Sequence, residues 1–149
     1  GVNVNYAPNC DINSNPHNPA CGIRAFGDDP ALATEMAAAL VTGMQAEGVA
    51  ATIKHFPGKG EAKVDSHYAM PLIDHSRARL AAVELRPFRA AIDAGAKLIM
   101  SGDLAIPALT GSLVLPATLS RAVMRDFVRD ELGFDGIVIT DALDMGASS

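Results

Sequence analysis

The sequence predicts an α/β fold: a parallel (β/α) barrel of the TIM type, present as a partial barrel of about four β/α units. Three observations carry that expectation. Short apolar runs alternate with stretches of helical periodicity in the order β, α, β, α, β, α, β. Polar residues of catalytic type follow the apolar runs, at Asp11, Arg24, Lys54, His55, Asp103 and Asp141, and the C-terminal strand ends are where such folds gather their chemistry. The chain opens on a strand and ends a few residues after the fourth, so residues 1–149 are expected to be one partial barrel domain with further strands on each side. An open parallel sheet would leave two edges bare, so additional barrel segments or a partner chain are expected to cover them.

Each element has its own signal. "GVNVNYAP", residues 1–8, alternates Val2, Val4 and Tyr6 with Asn3 and Asn5, the period of a strand. Residues 9–30 are rich in Asn, Pro and Gly and read as a long loop, a feature that compact domains keep mainly for function. The first helix covers residues 28–48, with Asp29 as its cap, Pro30 in the first turn and Gly48 as its stop. Leu32, Met36, Leu40 and Met44 share one face of it and are expected to pack in the core. "VAATIKHF", residues 49–56, is a second strand that ends in Lys54 and His55.

Residues 74–95 are helical, but Pro87 removes a helix hydrogen bond, so two pieces are expected, the second beginning at Pro87. "AKLIMSG", residues 96–102, is the third strand. Residues 120–133 form the next helix, with Ser120 as cap and Gly133 as stop. "DGIVITDAL", residues 135–143, is the fourth strand, and Asp141 follows its apolar run.

Composition narrows the function. Hydrophobic residues make up 49% and charged residues 19%, as in a globular domain. The net charge is -5 and no run of Lys and Arg occurs, which argues against a nucleic-acid partner. No apolar stretch reaches the roughly 18 residues of a membrane helix. Cys10 and Cys21 read as buried thiols, with a disulfide between them left open. His17, His55, His67 and His75 form no His-x-His or His-Glu-x-x-His pair, so neither a metal nor another cofactor is expected; His17 and His75 read as exposed loop residues.

Two stretches carry chemistry. In "KVDSHYAMP" Asp65 lies two residues before His67, which fits a proton-transfer pair or an ordinary surface turn. Asp141, at the end of a rigid strand, fits a nucleophilic carboxylate or a helix cap, with Asp144 as its rival. Lys54, also at a strand end, could form a Schiff base as in aldolase barrels. Ser66 cannot complete a triad with its sequence neighbours, and no Gly-x-Ser-x-Gly elbow exists.

The motifs "RAFGDDP", "KHFPGKG", "DSH" and "ELGFDGIVITDALDMGA", in this order and spacing, resemble the glycoside hydrolase family 3 catalytic barrel, in its β-N-acetylglucosaminidase branch. The resemblance covers essentially the whole chain. It implies a retaining hydrolase of terminal β-linked N-acetylglucosamine, often in cell-wall fragments, so the expected partner is an N-acetylglucosamine-containing saccharide. It implies Asp141 as nucleophile, His67 as acid/base with Asp65 orienting it, and Arg24, Lys54 and His55 as sugar-binding residues. The sequence departs from the family where Lys59 replaces the usual His of "KHFPGHG", and where Asp103 replaces a His after the third strand. A further sugar-binding Asp and Arg are expected upstream of Gly1, so the pocket of this chain alone is expected to be incomplete, and another family 3 β-glycosidase or a non-catalytic half-barrel stays open beside the leading reading.

Overall fold

The computed structural model describes residues 1–147. Its centre is one sheet of four strands, in the order β1 (Val4–Asn5), β2 (Ala50–Phe56), β3 (Leu98–Ser101), β4 (Ile137–Ile139). All neighbours are parallel, with Val4 opposite Ala50, Ile53 opposite Ile99 and Ile99 opposite Val138. Parallel pairing in sequence order requires every connection to cross over the sheet, and the helices make those crossovers. The sheet is the wall segment that the alternating pattern predicts. Its first strand is only two residues long, shorter than expected, and both of them are exposed.

Helix α1 (Pro30–Ala46) begins as expected. The Asp29 carboxylate accepts the Ala31 N–H at 2.8 Å, and Pro30 occupies the first turn. Gly48 adopts φ +76° behind it, a conformation that L side chains rarely adopt. The core-facing stripe differs from the expected one. Ala33, Ala37 and Val41 are buried, whereas Leu32, Met36 and Leu40 are 47%, 44% and 38% exposed. Of the expected stripe only Met44 packs on the core. The two stripes have identical spacing, so periodicity cannot choose between them. Small side chains let the helix backbone approach its neighbours closely, and that packing decides.

The break near Pro87 is present: α2 (Arg77–Ala82) is capped by the Ser76 hydroxyl, and α3 (Arg86–Asp93) starts with Pro87 in its first turn. A single helical turn, α4 (Pro107–Thr110), and a 3-10 turn at Ala117–Leu119 follow β3 and lie outside the expected pattern. The last helix, α5 (Ala122–Glu131), is wound with π-type bonding. Ser120 does not cap it with its side chain; its carbonyl accepts the N–H groups of Val123 and Met124 instead. Gly133 ends the segment at φ +68°.

The core lies between sheet and helices. Phe56 at the end of β2 meets Phe88 of α3 edge-on at 5.3 Å between centroids and Phe127 of α5 at 6.1 Å. Each such buried ring contributes about 1.5–3 kcal/mol by area. Arg129 donates to the carbonyls of Phe134 and Gly136, each at 2.7 Å, which pins the turn leading into β4. Cys10 and Cys21 are both free and buried. Among the described residues no helix is long and apolar enough to cross a membrane.

Two glycines make the packing testable. A Cβ on Gly60 would fall 1.7 Å from the Ile12 carbonyl oxygen, a backbone clash. Gly60→Ala is expected to destabilise the protein by about 3 kcal/mol. A Cβ on Gly43, inside α1, would meet nothing within 4 Å. Gly43→Ala should raise stability by about 0.5–1 kcal/mol. Denaturant melts of both variants measure the two effects; equal and small changes would contradict this packing.

Candidate active site

The buried carboxylate of Asp11 organises the C-terminal rim of the sheet. It is 1% exposed, in the loop after β1. Its Oδ2 lies 2.7 Å from His55 Nδ1, at the end of β2, and its Oδ1 accepts the backbone N–H of Lys59 at 2.8 Å. The Cys21 thiol reaches the same Oδ2 at 3.4 Å, and the Asn9 side chain accepts the Asp11 N–H. One side chain therefore joins the first loop, β2 and the Gly-rich turn. Burial opposes its charge, but His55, the Lys59 N–H and the Lys59 charge together hold its carboxyl below the ordinary value. The same burial pushes the Cys10 and Cys21 thiols up, and Asp11 adds to it, so neither behaves as a thiolate.

With Nδ1 committed to Asp11, the other ring nitrogen of His55 lies 3.8 Å from Asp141 Oδ2. Lys59 Nζ lies 3.7 Å from the same oxygen. Asp141 stands two residues past β4, and its Oδ1 accepts the N–H of Ala142 at 3.0 Å. No helix follows it among the described residues, so the helix-cap alternative has nothing to cap. Lys54 and His55 are consecutive, yet both reach the cavity described below. Side chains normally alternate across a strand, and the register shift between Ile53 and Phe56 breaks that alternation.

The second half of the site is the loop after the Gly-rich turn. Asp65 Oδ1 accepts the His67 N–H at 3.0 Å and lies 2.7 Å from His67 Nδ1. The imidazole is thus oriented with Nε2 outward. Burial opposes the Asp65 charge, but the hydrogen bonds from the His67 backbone and ring, and the charges of His67 and Lys59, together hold it below the usual carboxylate range. Ser66 points the other way and is fully buried, 3.5 Å from Lys59 Nζ. The loop is docked from two sides. Gly146 and Ala147 donate to the carbonyls of His67 and Ser66, and a Cβ on Gly146 would fall 2.9 Å from the Tyr68 backbone. At the base of the loop His75 Nε2 lies 2.5 Å from Glu61. His75 is therefore a half-buried strut, not the exposed loop residue expected from sequence.

Arg24, Lys54, His55, His67 and Asp141 line one cavity of about 400 Å³, and Asp65 reaches it through His67. Tyr6, Lys59, Met100, Thr140 and Ala142 complete the lining, and none of them stood among the expected site residues. Asp103 is fully buried, bonded to the Thr118 hydroxyl, and does not reach this cavity; Asp144 is exposed and lies outside its lining. Arg24 is at the open rim, its guanidinium donating to the Ala20 carbonyl. Burial and then the Arg24 charge push the Lys54 ammonium below its usual range, against the opposing pull of Asp141 and Asp11. Away from this cavity, Glu61, His75 and Glu84 bring one ligand atom each within 4.8 Å of one another. Arg79 lies 3.1 Å from Glu84 and 3.6 Å from Glu61, so a cation already compensates that cluster.

Asp11→Asn tests the organising carboxylate. Because the folded-state pKa is depressed, the stabilisation is complete above the unfolded value of about 3.9 and is lost as pH falls through the lower folded value. The variant is expected to lose about 3–5 kcal/mol at pH 7, with the deficit shrinking below about pH 4. Urea melts across pH 2–8 check this; a deficit independent of pH would contradict it.

The profile of the glycosyl hydrolase family 3 N-terminal domain matches residues 1–149. The beta-hexosaminidase A of Pseudoalteromonas piscicida is 41% identical over 100% of this chain, which covers 27% of that protein. The beta-hexosaminidase of Stenotrophomonas maltophilia (strain R551-3) is 38% identical over 99% of this chain and 43% of its own length. The structure of a family 3 beta-N-acetylglucosaminidase from Paenibacillus sp. str. FPU-7 superposes with a TM-score of 0.96 at 47% identity, over 99% of this chain and 28% of that one. The chain thus spans between 27% and 43% of the length of these relatives. With the family profile matched from end to end and the fold superposing this closely, the chain belongs to glycosyl hydrolase family 3.

Proposed function

We propose that the protein is a retaining β-N-acetylglucosaminidase that removes terminal β-linked N-acetylglucosamine, with peptidoglycan fragments as its source, through a covalent glycosyl-aspartate intermediate. The observation that carries this reading is that the Asp141 carboxylate and the Asp65-oriented imidazole of His67 line one sugar-sized cavity. The relatives named as hexosaminidases favour the N-acetylated sugar.

In the first step Asp141 Oδ attacks the anomeric carbon while His67 Nε2 gives its proton to the departing glycosidic oxygen. In the second, water attacks that carbon, its proton goes to His67, and the bonding electrons return to the Asp141 carboxylate. Asp65 stabilises the imidazolium form and fixes the ring, as the carboxylate does in hydrolase triads. Arg24, Lys54 and His55 bind the sugar hydroxyls at the cavity rim and floor. Further barrel segments supply the remaining wall of the pocket.

A second reading has one observation in its favour. The depressed proton affinity of Lys54 suits a Schiff-base nucleophile. Borohydride trapping of a carbonyl substrate on Lys54 would support it, and no trapping removes it.

His67→Ala is expected to lower kcat by about 10²–10⁴-fold, most for substrates with poor leaving groups. Azide, which needs no general base, should restore turnover of activated aryl glycosides and yield the β-glycosyl azide. Asp141→Asn should abolish turnover with no azide rescue. Steady-state rates and product stereochemistry measure all three; either variant retaining wild-type kcat would sink the proposal.

A further inference from the structure

Lys59 is the best-buried cation of the site, at 1% exposure, and nothing in the reading above gives it a role. A buried charge persists only where anions and hydrogen bonds compensate it. Its Nζ lies 3.7 Å from Asp141 Oδ2 and 3.5 Å from Ser66 Oγ. Its backbone N–H donates to Asp11 Oδ1 and its carbonyl accepts from Asn18 Nδ2, each at 2.8 Å, so the root of the side chain is fixed on both sides. The Lys59 charge is also one of the causes that lower the Asp11 and Asp65 carboxyls.

The other basic groups of the cavity differ. His55 is committed to Asp11, Arg24 is exposed to solvent screening, and Lys54 is only half-buried. We propose that Lys59 is a positioning residue that joins the nucleophile to the acid/base loop, and that its charge favours release of the glycosyl group from Asp141. This inference rests on the two-step reading proposed above.

The Lys59 charge favours one state of Asp141 over the other. Free Asp141 is an anion beside Lys59. Once its oxygen bonds the anomeric carbon it is a neutral ester, and the ammonium has lost its nearest counter-charge. In the second step the carbon–oxygen bond to Asp141 breaks, both electrons return to the carboxylate, and the Lys59 charge stabilises the anion as it forms. The water oxygen bonds the anomeric carbon and its proton goes to His67. Lys59 therefore accelerates the second step specifically, and leaves the first step no faster.

The test uses the whole protein with an aryl β-N-acetylglucosaminide whose good leaving group makes the first step fast. Lys59→Met keeps the stem length and removes the charge. Lys59→Gln removes the charge but can still hydrogen-bond Ser66, and it stands in if the Met variant does not fold. Both are expected to show kcat and KM falling together by about 10–100-fold, with kcat/KM held within about threefold. Intact-mass spectra of acid-quenched turnover mixtures should show a larger fraction of glycosyl-enzyme than in the wild type, with the melting temperature little changed. A fall in kcat/KM matching that in kcat, with KM unchanged and no gain of adduct, would overturn the proposal. So would wild-type kinetics in Lys59→Gln, which would reduce the role to a hydrogen bond. If the wild type itself forms no adduct on Asp141, the two-step reading fails first and independently of Lys59.

Discussion

Asp11 is the constraint from which the rest of the rim follows. A fully buried carboxylate must find partners or be neutralised. Here it finds them in the ring of His55, the backbone of Lys59 and the thiol of Cys21. Those bonds tie the first loop to the stretch from His55 to Lys59, 44 to 48 residues along the chain, at one point below the cavity floor. They also choose which nitrogen of His55 faces Asp141. The geometry of the floor is thus a consequence of satisfying one buried charge.

Above that floor the site divides into a strand-borne half and a loop-borne half. Asp141 is delivered by β4, whose approach is pinned by Arg129 and by the sheet register with β3. His67 is delivered by a loop and is exposed to solvent, though its backbone is docked on residues 146 and 147. This division suits the two-step glycoside chemistry proposed above. The nucleophile needs a fixed aim, whereas the acid must reach different leaving groups and then a water. Lys59 and Ser66 form the seam between the halves, with the Lys59 ammonium 3.7 Å from Asp141 Oδ2 and 3.5 Å from Ser66 Oγ.

Much of this was legible in the sequence, for physical reasons that differ by element. The alternation of apolar runs with capped helices specifies a parallel sheet, because parallel strands require crossovers. Asp29, Pro30, Gly48 and the break near Pro87 act locally, so local sequence reveals them. Periodicity does not reveal the core face of α1, because Leu32, Met36 and Leu40 have the same spacing as Ala33, Ala37 and Val41, and only tertiary packing separates the two. The π-wound α5 and the role of the Ser120 carbonyl were hidden for the same reason. The placement of Asp141 and His67 at one cavity follows from motif resemblance, not from any periodicity. Asp11 stands among the polar residues that follow the apolar runs, and Lys59 among the departures from the family motif, but their contacts, like the Glu61–His75 strut, are not legible, because the partners are distant in sequence and nothing in a residue's neighbours marks it as the hub of long-range contacts.

The proposed chemistry stands or falls on covalent capture of the sugar by Asp141, opposite the His67 imidazole. It is tested most directly by incubating the whole protein with a 5-fluoro glycosyl fluoride of N-acetylglucosamine, digesting it, and sequencing the labelled peptide by mass spectrometry. One label is expected, on Asp141. A label on Asp144 or elsewhere, or none under conditions where the enzyme turns over its substrate, would contradict it.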